Sequence, residues 1–398
     1  MKKTLIALGT LAAFAGAASA QSNVTLFGVV DQSLNNVKNG SVSYKLMKSD
    51  QLSSNRFGVR GEEDLGGGMK AAFWLEAGMS TEAGAVGGNT SQANSVGTGQ
   101  SSFFNRRSTV SLLGSFGELR VGRDYNPQFW NTVFGDVNGA NGIGEGLNII
   151  DTSLGSGATT FARSNNGIYY FLPAGLGGLY GHFGVSIDQG ATGLASAGAN
   201  GGQTGNAHRS ARIGYASGPL EVAVGFGRTD VCGNKTAANC TAAVWTAAGA
   251  DKNGNVYSSG SFNVFNVMAN YDLGVAKLYS FYNRNTFAPA KQSVYEISAG
   301  IPVATGEFRL SYGKADASGK YVPTTATGNL AMSTGTATLF GTSYVHNLSK
   351  RSMVYVGYGR ISNSGNAAFR VLSATGEAST SALGTTSTGM NVGVRHAF

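Results

Sequence analysis

The most chemically suggestive stretch of this sequence is residues 124–162. It holds Asp124, Asp136, Glu145 and Asp151 and no Lys or Arg, a local charge of −4. Arg106, Arg107, Arg120, Arg123 and Arg163 crowd its two ends. Opposed rows of fixed charge suit electrostatic sorting of ions and polar solutes rather than bond-making. Covalent chemistry has no comparable support. No Gly-x-Ser-x-Gly or His-Glu-x-x-His stretch occurs, so the usual nucleophile and zinc-hydrolase signatures are missing. Gly313-Lys314-Ala315 and Gly319-Lys320-Tyr321 lack the Ser/Thr and the spacing of a phosphate-binding loop. His182, His208, His346 and His396 are scattered one per strand region and are read as rim or interface residues. His208 near Ser210 is the one local hint of a hydrolytic pair. No nucleic acid is expected, since no basic run occurs; no cofactor is expected, nor a metal, since no histidine lies near Cys232 and Cys240 in sequence.

The elements that would hold such charges in place are strands. Beyond the N-terminus no helical periodicity of useful length appears. Segments of about ten residues alternate with period two, joined by short and long connections in turn. Short ones include 64–68, 115–117, 173–178, 217–219, 272–274 and 347–350; long ones, rich in Gly, Ser, Thr, Asn and Ala, fall near 81–100, 124–162, 190–206, 231–257, 318–335 and 363–386. Strands are predicted near 23–34, 53–63, 69–80, 101–114, 117–124, 162–172, 178–189, 207–217, 219–230, 258–272, 275–286, 291–301, 306–316, 336–347, 351–362 and 387–398. Sixteen is an even number, as an up-and-down antiparallel barrel requires, with tight turns on one rim and long loops on the other. The expected fold class is therefore all-β, a 16-stranded antiparallel transmembrane β-barrel in a single domain. Within 56–63, Phe57 and Val59 share one face while Arg56, Arg60 and Glu62 share the other. One face can meet lipid while the other lines water.

Residues 1–20 stand apart. Lys2 and Lys3 precede an apolar run that ends in Ala18-Ser19-Ala20, the pattern of a cleaved signal peptide. An N-terminal membrane anchor is the lesser reading, because the run is shorter than the ~20 residues that cross a bilayer. Removing it leaves 27 basic and 21 acidic groups, a net charge of +6, in a domain of residues 21–398. No later segment is a transmembrane helix. The 60 glycines, 21 Phe and 16 Tyr, with only 13% charged residues, suit curved strands, aromatic girdles and a lipid-facing wall better than the surface of a soluble protein. Cys232 and Cys240 lie close together in a polar stretch. On an exported chain they are expected to form one loop disulfide.

The chain stops on an aromatic inside its last strand, where Met390, Val392, Val394, His396 and Phe398 share a face. A soluble sheet gains nothing from that ending, whereas a barrel buries the edge by pairing its last strand with its first. Alternatives are a barrel enzyme, or an outer-membrane adhesin or surface β-protein with a plugged barrel and working outer loops.

Four stretches then resemble one family. They are Val24-Thr-Leu-Phe-Gly-Val-Val-Asp31; the hairpin from Ser54 to Ala71, SNRFGVRGEEDLGGGMKA; Phe104-Asn-Arg-Arg107 with Gly114 to Arg123, GSFGELRVGR; and Val392-Gly-Val-Arg-His-Ala-Phe398. The hairpin is the most specific. Together they resemble the trimeric general porins of Gram-negative bacteria, of the Burkholderia and Neisseria type. That resemblance implies a homotrimer in the outer membrane and a water-filled channel for passive diffusion of small hydrophilic solutes and ions. It implies a third loop, about 124–162, folded inward as a constriction. It places Arg56, Arg106 and Arg163, with Arg120, on a basic wall facing Asp124, Asp136 and Glu145 on the loop, and so an anion preference. It makes Phe398 a signal read by the barrel-assembly machinery. Tyr125 and Trp130 are expected to pack the loop against the wall.

Overall fold

The computed structural model describes residues 23–87, 102–154, 156, 158, 160–187, 206–232, 259–319, 334–372 and 383–398. Among these, eighteen strand segments occur: β1 Asn23–Asn39, β2 Val42–Ser49, β3 Arg56–Gly66, β4 Met69–Ser80, β5 Ala85–Val86, β6 Arg107–Gly114, β7 Gly117–Tyr125, β8 Arg163–Phe171, β9 Leu179–Ser186, β10 Asn206–Ser217, β11 Leu220–Cys232, β12 Ser259–Asp272, β13 Lys277–Phe287, β14 Ala290–Val303, β15 Gly306–Ser318, β16 Gly335–Asn347, β17 Ser352–Gly365 and β18 Thr386–Ala397. Successive strands pair antiparallel, and β18 returns to β1 in a register running from Val29 opposite Ala397 to Asn39 opposite Ser387. The sheet is closed, so the first and last strands leave no open edge where they meet.

The eighteen segments make sixteen staves. β5 is a two-residue flap on the end of β4. β2 and β3 are two halves of one stave, both paired with β1: residues 32–39 of β1 face β2, and residues 23–29 face β3. This corrects three expectations. The first strand continues to Asn39 instead of ending at 34, Val42–Ser49 is strand where none was predicted, and the strand predicted from 101 begins only at Arg107. The break at 50–55 is held by side chains that replace the missing ladder. The Asp31 carboxylate accepts from Leu52 N (2.5 Å), Ser53 N (2.7 Å) and the Tyr355 hydroxyl (2.5 Å), and Asp50 accepts from Asn55 N (2.5 Å). Buried backbone donors without such partners would cost stability.

Alternation sorts the faces as expected. Val224, Phe226, Phe265 and Val267 point outward and are exposed, while Ala223, Asn266 and Met268 point inward and are buried. No helix among the described residues is long and apolar enough to cross a membrane; an outward apolar belt on strands serves that role. Phe398 closes the seam. It exchanges backbone hydrogen bonds with Gly28, both 3.1 Å, and its ring lies over the space a side chain at Gly28 would fill. Residues 1–20 and Cys240, and with it the expected Cys232–Cys240 bridge, lie outside the described residues.

Candidate functional site: the lumen wall and the inner loop

The connection between β7 and β8, residues 126–162, folds into the barrel. It contains a short helix, α1, Phe129–Phe134, and a 3-10 turn, Gly146–Ile149. Its outgoing leg is tied to inward side chains of one wall. Asn131 accepts from Arg212 Nε (2.6 Å) and donates to Asn266 (2.9 Å), whose own amide donates to Gln128 O (2.9 Å). Asn270 donates to Phe134 O (2.9 Å), the Ser298 hydroxyl accepts from Val137 N (3.1 Å), and the Ser311 hydroxyl donates to Gly144 O (2.6 Å). The return leg is held by Gln292, which accepts from Asp151 N (2.7 Å) and donates to Ile149 O (2.9 Å). Inward Asn, Gln and Ser therefore satisfy loop backbone that a lumen without secondary structure would leave unpaired. Apolar side chains fill the gap between loop and wall, among them Phe129, Ile143, Ile149, Phe281, Leu339 and Ile361. At Gly359 the fit leaves no room. The Ile143 carbonyl oxygen lies 2.2 Å from where a Cβ would stand. The tip ends against the broken second stave, where the Ser54 hydroxyl donates to Asn141 (2.8 Å).

The remaining wall, β3 to β8, carries the arginines singled out from the sequence. Arg106 and Arg163, expected on the wall, come together on one phenol. Arg106 Nη2 donates to the Tyr125 hydroxyl at 2.6 Å and Arg163 also donates to it. The guanidinium carbons lie 5.9 Å and 4.0 Å from the Tyr125 ring centre. Arg106 is also ion-paired to Glu76 at 2.6 Å. These two arginines are only 7% and 8% exposed, so they form the floor of the wall rather than its outermost layer. Arg120 bridges Glu118 (2.8 Å) and Asp124 (2.6 Å), and Arg107 approaches Asp124 at 3.5 Å. Arg56 donates to Ser54 O at 3.4 Å and has no ion pair among the described residues. Arg60, not singled out from sequence, is exposed, sits 5.0 Å from the Trp74 ring and 5.5 Å from the Phe27 ring, and likewise has no ion pair among the described residues. Arg56, Arg60, Arg106, Arg107, Arg120 and Arg163, with Lys70, thus share this wall with Glu62, Glu76, Glu118 and Asp124, a surplus of three positive charges.

The acids of the loop are not arrayed opposite them. Asp124 stands on the arginine wall itself, in contact with Arg120. Asp136 is 3% exposed and turned toward the bed, where it accepts from Asn138 N (2.7 Å) and Gly146 N (3.1 Å) and meets the carboxyl of Glu296 on β14. Burial raises the Asp136 carboxyl above the usual range, against the opposing pull of those donors. Burial pushes Glu145 well above that range, and the negative charges of Asp136 and Asp50 add to the shift. Asp151 caps a turn through Leu154 N at 2.8 Å. The physical reason is dielectric: unpaired carboxylates packed against a wall are forced toward the neutral form. What the loop shows the lumen instead is aromatic. Trp130 and Phe134 stack with centres 5.1 Å apart, and Phe134 is 43% exposed. Among the described residues no His/Cys/Asp/Glu group could hold a metal ion.

A closed sixteen-stave barrel with a loop folded inside and a charged lumen defines a channel protein of the outer membrane. The chain belongs to the Gram-negative porin family, whose model matches residues 7–366. It is 34% identical to outer membrane porin protein 32 of Delftia acidovorans over 408 residues, covering all of both chains. Over 160 residues it is 34% identical to the major outer membrane protein P.IB of Neisseria meningitidis, covering 36% of this chain and 42% of that one. The solved structure of the anion-selective porin from Comamonas acidovorans superposes with a TM-score of 0.73 at 29% identity, covering 95% of this chain and 100% of that chain. The protein is an outer-membrane porin.

Proposed function

We propose that the pore prefers anions and passes small hydrophilic solutes by passive diffusion, with no catalytic step. The observation that carries this reading is the surplus of guanidinium charge on β3 to β8, combined with loop carboxyls withdrawn behind the inner loop. Arginine keeps its charge at any working pH, and low-dielectric walls focus its field into the lumen. Similarity to a structure described as an anion-selective porin supports the same reading. Arg56, Arg106, Arg120 and Arg163 then form the basic side of the constriction. The loop acid Asp136 ties the loop through Asn138 N and Gly146 N, the Glu145 carboxyl is buried behind the loop, and Asp124 fixes Arg120. The chain is exported with loss of residues 1–20, assembles as a homotrimer, presents Phe398 to the assembly machinery and closes a Cys232–Cys240 bridge in an outer loop. The deciding measurement is the reversal potential across a planar bilayer in a KCl gradient. A chloride-to-potassium permeability ratio above one is expected; a ratio at or below one refutes the anion preference.

A further inference from the structure

We infer that the lumen contains a binding site for aromatic carboxylates, formed by the aromatic face of the inner loop beside the guanidinium wall. This rests on the anion-preferring reading above and names a solute class for the same passage.

The starting point is Phe134. Exposed large apolar side chains elsewhere in the barrel sit mostly on the outward strand faces or at the rims, where lipid or headgroups cover them. Phe134 is on the loop inside the barrel, and its 43% exposure faces water in the lumen. The short helix did not run out of places to bury an aromatic. It turns Phe129, Asn131 and Thr132 to the wall, all buried. Trp130 and Phe134, four positions apart, share the opposite face. Their rings are nearly parallel, 16° apart, so together they present one continuous π surface. That surface does not end in open water. Trp130 is 4.9 Å from Tyr125, and Tyr125 is the phenol on which Arg106 and Arg163 converge. The ridge therefore begins where the arginine wall begins.

A solute that uses both features must be flat and apolar on one side and anionic on the other. An aliphatic carboxylate can use the guanidiniums but not the ridge. A neutral arene can use the ridge but not the guanidiniums. Arg212, whose guanidinium carbon lies 5.3 Å from the Phe134 ring centre, is already committed to Asn131 and Tyr180. The carboxylate is therefore assigned to the β3 to β8 side, where Arg56 and Arg60 have no ion pair among the described residues.

Benzoate and cyclohexanecarboxylate carry the same charge on the same number of carbons and differ in the ring. Each would be added as its potassium salt to single channels of the full-length protein in KCl, and the loss of chloride current followed with concentration. Half-block by benzoate is expected at a concentration about 2- to 10-fold lower, the range an aromatic pair contributes beyond its area. In the Trp130→Leu/Phe134→Leu variant the two solutes should block alike, while Phe134→Tyr keeps the difference. Should the double variant fail to fold, Phe134→Leu alone, at an exposed position, should cut the ratio to about half. Equal block of the wild-type channel by both salts, or an unchanged ratio in the leucine variants, overturns the site. Failure of the anion preference itself would be seen separately, in the KCl reversal potential, whatever the two organic acids do.

Discussion

The two sides of the inner wall obey one alternation rule and carry opposite contents. From β10 round to β17, inward positions are chiefly Asn, Gln, Ser, Gly and apolar residues that meet loop backbone or loop side chains, with Arg212, Glu296 and the Glu307–Arg309 pair among them. From β3 to β8, inward positions include Arg with Glu, Asp and Trp, and Arg56 and Arg60 there have no ion pair among the described residues. The lesson is that a barrel interior is divided by what it can satisfy. Amides and hydroxyls match the donors and acceptors of an irregular chain, whereas guanidiniums in surplus need water or an anion. The inner loop is docked on the first side, and the guanidiniums without ion pairs among the described residues stand on the second.

The contrast is broken most severely at Gly359. Replacement by Val drives a side chain into the Ile143 carbonyl oxygen, which as backbone cannot swing aside. The loop tip should lift off its bed into the lumen, lowering single-channel conductance several-fold and costing about 1–3 kcal/mol by overpacking. Bilayer recording and thermal melting of the purified protein check both.

Next comes the arginine side. Arg56→Gln with Arg60→Gln removes two charges that have no ion pair among the described residues. The chloride-to-potassium ratio should fall with melting unchanged. The fall should be smaller in 1 M than in 0.1 M KCl, because the screening length drops from about 10 Å to about 3 Å. An unchanged ratio would move the selecting charges elsewhere.

A smaller effect is expected from Asn266→Ala, which removes the acceptor for Asn131 and the donor to Gln128 O. Leaving those buried groups unpaired costs about 1–3 kcal/mol. It should appear as a lower melting temperature and noisier current with selectivity kept.

The smallest effect is that of pH. Asp136 and Glu145 are raised, so the folded loop binds more protons than the undocked one between the ordinary carboxylate value and the raised one. Their contribution to docking is full at acidic pH and is lost as pH rises through the raised values. Current noise should grow toward alkaline pH, and Glu145→Gln should flatten that dependence.

Much of the fold was legible because a strand with lipid on one side repeats at period two, and the seam at Phe398 announces closure. The second stave was not legible as one unit. It breaks at 50–55 and resumes in the same direction, with its ladder replaced by Asp31 and Asp50, and no local pattern marks a carboxylate acting on backbone twenty residues away. At the site, the basic residues were legible as a group around the loop. Which way Asp136 and Glu145 would turn was not, since it depends on Glu296 and the bed of β14. Nor was the exposed face of α1, because six residues are too few for a helical period. Arg60 did carry a signal: it shares its strand face with Arg56.

The docking of the loop tip between Ser54 and Gly359 also fixes an order of events during folding. The first lies in the second stave from the N-terminus and the second in the fifteenth. They become neighbours only after β18 has zipped onto β1, a contact between chain ends that is slow to form because so much chain must be gathered first. The tip has no complete seat before that moment. The seat of the loop tip is therefore completed only with the barrel itself, and a docked tip certifies a finished cylinder.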